Sequence, residues 1–583
     1  MRQGAGVPNV LRAAVVAALV ALAPARAAMA QTQGVPLPAP LREGEPLALV
    51  WVDLRDASKA EVKDDALEEE VRRAFGIRAG TRFRIEAADM AIREVRKVPG
   101  VREARWAIYD SSFPGELVLV LFVEVGAREA PRPPKGWLAT GDSDEFPKLF
   151  ESERALLRVQ VNGGLGFFND HNSWWGDPGA FVGGSPLFPD PAGKGWATWG
   201  EASVEAGLHG AVQIGPKKVY GFGNVTAVAA GSAGQDPWRS DARLEVELEK
   251  AYAGLLWVVP EKDFGATVSF GKQTWQLNKG FLFSQYAGGF NAADWGASYL
   301  AARTALQDSV LAKVRLGRLS LEGFLIDPQE YYENDSGTRY RGANLQYADG
   351  KRLELGAVWY DVPRSRSTFV LPDGSRAPRE GLRTVNLRAA TATLGGVPGL
   401  SFESEWAHQS SSAFRMSADA WYASLGYEAA GLRWSPSLTY RYAFFEGDDP
   451  ETPAYERFDA PQSSGSDTWL QGNIFKKTVV NSNLESHRVR FAVKPSAGVS
   501  VILNYFYLWA DELNNRGGAR PLQQLTARTL GQEVDLHVNW SVSRNLFVLG
   551  LAGIAFPGPA IDRALAGGAS PWATIQLSLF WNL

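Results

Sequence analysis

The sequence predicts a transmembrane antiparallel β-barrel of about 18 strands behind a small N-terminal α/β domain. Three observations carry this. From Arg154 onward, alternating apolar and polar runs succeed one another between clusters of Gly, Asp, Asn and Pro, and a period of two marks strands. The closing run W-A-T-I-Q-L-S-L-F-W-N-L sets Ile575, Leu577, Leu579, Trp581 and Leu583 on one face. Thr574, Gln576, Ser578 and Asn582 take the other, with Phe580 the exception. Such a strand suits a barrel whose last strand must close on its first and leave no edge in lipid. The 583 residues also include 20 Trp and 60 Gly but only 4 Met and 5 His, a bias that suits interfacial girdles and many turns.

The bulk numbers exclude other classes. A chain this long exceeds one compact soluble core. The net charge of −4 argues against a nucleic-acid partner, which needs a strongly basic face. With no Cys, disulfides, thiolate metal sites and a Cys nucleophile are excluded.

Residues 1–30 have a basic start (Arg2, Arg12), an apolar run Ala13–Ala23 and Ala28-Met29-Ala30 before a cleavage point. This reads as a secretory signal peptide; the run is short for a membrane anchor helix. Residues 31–47 are a Pro-rich, flexible lead. Residues 48–127 read as a strand (49–54), a helix from an N-cap at Ser58 to Phe75 with Glu61 in capping-box spacing, a helix 87–98, and strands 101–108 and 116–125. The phrases G-I-R-A-G-T-R-F, I-R-E-V-R-K-V-P-G-V-R-E-A-R-W and E-L-V-L-V-L-F-V-E-V, in this element order, resemble a POTRA (polypeptide-transport-associated) module. That resemblance implies a periplasmic domain that docks partner proteins or extended peptides by strand addition at a sheet edge. A Pro-rich linker, 128–150, separates it from the barrel, 151–583.

Eighteen barrel strands are expected near 155–163, 197–209, 219–230, 243–257, 264–274, 309–317, 319–326, 339–348, 351–361, 383–394, 400–409, 419–428, 433–445, 486–494, 499–510, 530–540, 545–555 and 572–583. Short and long connections alternate, as expected for periplasmic turns and outer loops. Val246, Leu248, Leu353, Leu355, Trp359, Trp434, Leu438, Tyr440, Tyr442, Val501, Leu503, Tyr505, Tyr507 and Trp509 are expected to face lipid. The stretches Gly163–Lys194 and Gln276–Asp308 read as irregular, either outer caps or lumen plugs. A soluble β-sandwich is the competing fold, but it has no need of so many outward aromatics.

The other face is charged. Its bases include Arg158, Lys313, Arg315, Arg352, Arg388, Arg441, Arg488 and Arg490; its acids include Glu201, Glu205, Glu245, Glu247, Glu249, Glu322, Glu354, Glu403, Glu405, Glu533 and Asp535. Each can be a solvated or paired wall residue, and the set can guide a polar polymer. The segments S-F-G-K-Q-T-W-Q-L (269–277), Y-R-Y-A-F-F-E-G-D-D-P (440–450), N-S-N-L-E-S-H-R (481–488) and L-G-Q-E-V-D-L…L-F-V-L-G-L-A-G-I-A-F-P-G (530–558) resemble the alginate-export family of outer-membrane barrels. The resemblance covers about 264–583 and implies export of a secreted polysaccharide past lumenal arginines. By it, Arg441, Arg488 and Arg490 are the polymer contacts and Glu533 and Asp535 their counter-charges, with Arg388, Lys313, Arg315, Glu403 and Glu405 further along the path. Glu245, Glu247 and Glu249 depart from an anion-selective lining and leave a neutral, mixed-charge or amino-sugar polymer equally open.

No cofactor or metal is expected. The His residues show no ligand spacing, no nucleophile elbow or phosphate loop occurs, and the two-residue spacing of Glu403 and Glu405 follows from strand alternation. A polypeptide-secretion or assembly transporter is the alternative function, but its inward R-G-[FY] loop is matched only by Arg341-Gly342-Ala343, which lies early in the barrel and lacks the aromatic. A structural barrel with a plugged lumen is the third reading.

Overall fold

The computed structural model describes residues 42–110, 117–126, 148–152, 154–174, 195–215, 218–259, 262–284, 295–300, 305–331, 335–349, 353–461, 469–496, 498–518, 520–543, 545–565 and 567–582. The signal peptide, the lead up to residue 41, most of the 128–150 linker, residues 175–194, Arg352 and Leu583 lie outside them.

The N-terminal domain consists of β1 (Leu47–Arg55), α1 (Asp65–Phe75), α2 (Ile85–Val95), β2 (Val101–Asp110) and β3 (Leu117–Val125). Its sheet has the order β1-β3-β2, with β1 parallel and β2 antiparallel to β3. The predicted cap at Ser58 is a turn instead. Ser58 spends its hydroxyl on Asp56 at 2.6 Å and Lys59 takes φ 67°, whereas Asp64 accepts the Leu67 N–H at 3.0 Å and starts α1. Gly76, at φ 72°, ends the helix. Leu47, Leu54, Val71, Phe75, Ile92, Val95, Leu119 and Leu121 form a core made entirely within this domain. The helix α2 is buried on nearly all sides, including Glu86 and Asp89, because one face packs on its own sheet and another meets the barrel.

A short strand, β4 (Lys148–Glu151), pairs with the start of β5 (Ala155–His171). The wall continues through β6 (Trp196–Gln213), β7 (Val219–Gly234), β8 (Arg243–Val259), β9 (Phe264–Lys272), β10 (Asp308–Leu316), β11 (Leu319–Asp327), β12 (Arg339–Ala348) and β13 (Leu353–Arg364). A loop hairpin, β14 (Thr368–Val370) and β15 (Arg376–Pro378), precedes β16 (Leu382–Thr391), β17 (Leu400–Ser411), β18 (Ser417–Glu428) and β19 (Ser437–Phe445). The last wall strands are β20 (Leu484–Ser496), β21 (Val499–Trp509), β22 (Thr529–Ser543), β23 (Leu546–Pro557) and β24 (Trp572–Asn582). With β4 and the hairpin set aside, these eighteen strands close antiparallel when β24 pairs with β5 along Ala573–Asn582. Each expected segment overlaps one of them.

Two boundaries move for local reasons. Trp434 and Ser435, at φ 69° and 42°, form a turn that delays β19 to Ser437. The stretch from Gly163, expected to be irregular, continues β5 to His171. Its glycines make room: the Trp581 ring lies where a Cβ at 163 would stand, and Phe580 and Leu300 crowd position 164. Phe580, the residue out of alternation, packs beside Ala230, Trp295, Ala297 and Leu300 in the lumen.

The outer surface is an apolar band on which Val246, Leu248, Leu353, Leu355, Trp359, Trp434, Leu438, Tyr440 and Leu503 are exposed, as expected for lipid contact. Short turns such as Gly317–Arg318 gather at one mouth, and the long connections 273–307, 446–483 and 510–528 at the other. The N-terminal domain is seated in the short-turn mouth, where Gly76 and Gly80 accept from Arg315 and Lys313 of β10 at 3.1 and 3.0 Å.

Candidate functional site: the barrel lumen

The wall turns its polar side inward, as alternation requires, and that side is covered by three inserted parts. Two are long-loop segments. Of the connection 273–307, residues 273–284 fold into the barrel and bury Trp275, Leu277, Phe281, Leu282 and Phe283 against wall residues Phe324, Tyr340, Tyr360 and Tyr422. Of the connection 446–483, residues 469–483 do the same with Trp469, Ile474 and Phe475. Each is held by one wall carboxylate that accepts three successive backbone amides. Glu201 on β6 takes those of Ser298, Tyr299 and Leu300 at 3.1, 2.8 and 2.9 Å. Glu533 on β22 takes those of Asn473, Ile474 and Phe475, the last two at 2.8 Å. Lys477 pairs with Asp170 in full burial, and Lys279 with Glu403. A buried carboxylate needs such partners, since desolvation without them costs several kcal/mol.

The third inserted part is the N-terminal domain. Arg82 lies 3.2 Å from Glu322 of β11, Asp89 3.1 Å from Arg158 of β5, and Glu43 3.3 Å from Lys250 of β8. Tyr252 donates to Glu86 at 2.7 Å and is 3.0 Å from Glu43. Of these wall groups, Lys250 and Tyr252 face inward because β8 carries a bulge. Leu248 pairs with Ala227 and Lys250 with Thr226, leaving Glu249 as the extra residue. Strict alternation from Leu248 would have put Lys250 on the lipid face, at a cost of roughly 2–4 kcal/mol near the midplane.

The sequence-derived path residues separate into two groups. Arg441 on β19 and Arg488 on β20 are direct cross-strand partners, and Arg490 follows two residues on. Their mutual repulsion is offset locally. The Arg441 guanidinium lies 4.2 Å from the Trp469 ring centre, and Arg488 lies over Phe506 and donates to Asn504 at 3.1 and 3.0 Å. Arg388 bridges Glu354 at 3.3 Å and Asn344 at 3.0 Å, and Glu405 accepts from Asn386 and Tyr422 at 3.2 Å each. These form one patch on the wall with Phe281, Tyr422 and Trp469, whose ring centres lie 4.7–5.2 Å apart.

The others serve the inserted parts. Lys313 and Arg315 bond the N-terminal domain, and Glu403 holds Lys279. Glu533 and Asp535 are not seated as counter-charges to the arginines: their partners are the inserted Asn473–Phe475 amides and the Asn473 side chain, because 446–483 folds inward. Sequence reasoning missed Trp469, Phe281, Lys250 and Tyr252. The first two sit in loops, where apolar residues such as F-L-F at 281–283 were the available signal for lumen packing. Among the described residues, no cluster of His, Asp and Glu could hold a metal ion, and no helix is long and apolar enough to cross a membrane.

A closed eighteen-strand barrel with an apolar belt and a polar, charged interior defines an integral outer-membrane channel protein. The Alginate export family model matches residues 225–569, more than half of the chain, and the protein belongs to that family. No curated protein matches it in sequence. Its shape resembles solved structures including OccK7 (OpdD) of Pseudomonas aeruginosa (13% identity, 73% of this chain and 98% of that one, TM-score 0.42). OpdQ of the same organism (12%, 73% and 98%, 0.43) and OccAB2 of Acinetobacter baumannii (11%, 73% and 98%, 0.43) are similar to the same degree.

Proposed function

We propose that the protein is the outer-membrane channel through which one secreted polysaccharide leaves the cell. Membership of the alginate-export family over 225–569 carries this reading. The inward guanidinium groups of Arg441, Arg488 and Arg490 support it chemically, while Phe281, Tyr422 and Trp469 beside them are packed on one another in the buried core. Guanidinium groups bond the carboxylate oxygens of an acidic polymer in a two-pronged fork. Arg388 and Glu405 extend the patch with both signs of charge, which suits a polymer carrying acidic and neutral units. No catalytic step is proposed; the wall replaces water around a polar chain.

Short turns mark the periplasmic end of such barrels, which supports a periplasmic position for the N-terminal domain. Its β1 is a sheet edge with Leu49 and Trp51 exposed, the side on which a periplasmic export protein would add a strand.

The test is deletion of the gene, scoring surface and secreted polysaccharides beside the outer-membrane protein profile. Loss of one polysaccharide with an unchanged profile is expected. Normal polysaccharide with missing outer-membrane or secreted proteins would move the function to polypeptide secretion or assembly. Complementation with Arg441→Glu/Arg488→Glu/Arg490→Glu should restore the barrel but not the polymer. Full export by that variant would remove these arginines from the path.

A further inference from the structure

The N-terminal domain reaches deep into the barrel. Along β8, Lys250 lies nine residues from Val259 at the short-turn end, roughly 20 Å of barrel height at the usual rise and tilt. Glu43 meets Lys250 at that depth, and Arg84 bonds Gln273, the first residue of the infolded 273–307 connection, at 2.7 Å. Arg82 lies over the Trp275 ring of the same segment at 5.3 Å. The domain and the infolded segment therefore meet end to end inside the lumen.

The seat is of a different kind from the domain's own interior. Every residue of its main apolar core comes from 47–125. Among the described residues, the apolar cluster shared with the wall is small: Met90 with Ala211 and Tyr220, and Phe222 and Leu256 alongside. Everything else named across the interface is an ion pair, a hydrogen bond or a cation over a ring. Polar interfaces of this kind are typical of parts that come apart without unfolding, because leaving exposes charged groups to water and no core.

We propose that the N-terminal domain is a resident plug: docked, it closes the channel, and passage requires it to withdraw as a folded unit through the short-turn mouth. Gln273 and Trp275 stand against the domain's inner end, so it can leave only by the short-turn mouth. The proposal rests on the barrel being a conduit, and not on what it conducts.

The chain has no cysteine, so a single engineered disulfide can lock the plug. A Cβ built at Gly80 stands 3.7 Å from the Cβ of Ala348 at the end of β12, inside the roughly 3.5–4.5 Å range of disulfides. Position 80 has φ +79°, so Gly80→Cys strains the backbone; the single-cysteine variants carry the same strain without the link and serve as controls. In the same full chain, Arg158→Glu faces Asp89 and Glu322→Arg faces Arg82, and both loosen the seat.

The readout is ion conductance of the purified protein in planar bilayers, before and after reduction. The loosened chain should conduct at least roughly tenfold more than the unaltered one, as a shift of the docked population requires. Oxidising the cysteine pair should return it to the closed level, and a thiol reductant should reopen it. Equal conductance of the fully oxidised and reduced forms, whether both high or both low, overturns the proposal. In cells, a locked chain that exports normally also overturns it. If the gene deletion leaves every polysaccharide intact while conductance follows the lock, the polysaccharide reading falls and the plug stands.

Discussion

Arg82 of the N-terminal domain and Glu322 of the barrel wall form a buried ion pair at 3.2 Å, with side chains 11% and 4% exposed. Trp275 of the infolded connection donates to the same carboxylate oxygen at 3.0 Å. One wall carboxylate thus ties the N-terminal domain and the infolded 273–307 connection to the wall.

Glu322→Ala should loosen the domain. Removing one partner of a buried pair typically costs roughly 3–5 kcal/mol, because the other charge stays desolvated. Faster amide hydrogen exchange across 42–126 in the detergent-solubilised protein checks this. Arg82→Leu combined with Glu322→Leu should recover most of the protection. A double variant as weakened as Glu322→Ala would show that the pair's charge is not what the seat depends on.

The two loop anchors should fail separately. A hydrogen bond contributes roughly 0.5–1.5 kcal/mol net and costs about 1–3 kcal/mol when its buried partner is left unsatisfied, and Glu201 and Glu533 serve different loops with no shared partner. Glu201→Ala should speed exchange at 298–300 and leave 473–475 protected, and Glu533→Ala should do the reverse. Equal loosening of both loops by either change would mean that the loops depend on each other and not on their carboxylates.

The bulge in β8 leads to an unusual tolerance. Deleting Glu249 leaves Leu248 opposite Ala227 and Lys250 opposite Thr226, so every side chain beyond it keeps its face. The barrel should still fold, read as retained heat-modifiable gel mobility. Deleting Ala251 should abolish folding, because it turns either Lys250 or Tyr252 toward lipid, the former at roughly 2–4 kcal/mol. Equal yields of the two deletions would contradict the register.

Docking should strengthen on acidification. Burial, and then the neighbouring Glu43, push the Glu86 carboxyl up to about 7, against Tyr252 and Arg84, which favour its ionised form. Asn224 of β7 and Lys250 complete the surroundings. An undocked Glu86 in water titrates near its ordinary value of about 4.3, so docking takes up a proton. The stabilisation is complete below that value and is lost as pH rises through about 7. Protection across 85–95, taken relative to the intrinsic base-catalysed exchange rate at each pH, should therefore be lower at pH 8 than at pH 5. Glu86→Gln should flatten the difference, and a wild-type profile that is flat or inverted would refute the linkage.

The strand pattern was legible because alternation is enforced at every position of a wall with lipid on one side. Leu353, Leu355 and Trp359 had to face out and Glu354 in, and no tertiary contact was needed to know it. The arginine patch was legible for the same reason, since alternation brings Arg441 and Arg488 to one face and the turn between their strands brings them together. The errors fall where alternation is broken or absent. Glycines at 163 and 164 read as chain breakers, although they make way for Trp581 and Phe580 from a strand more than 400 residues away.

By itself, then, the sequence determined the class of fold, the faces of nearly every strand and the inward position of the charges. Whether those charges line an open path was decided only by tertiary structure. Lys313, Arg315, Glu322 and Glu533 look alike in sequence as inward polar residues. Their partners are Gly80, Gly76, Arg82 and the amides at 473–475, which come from parts distant in the chain. Local periodicity reports which way a side chain points, because that is a property of the backbone. What it meets there depends on which segments fold into the same space.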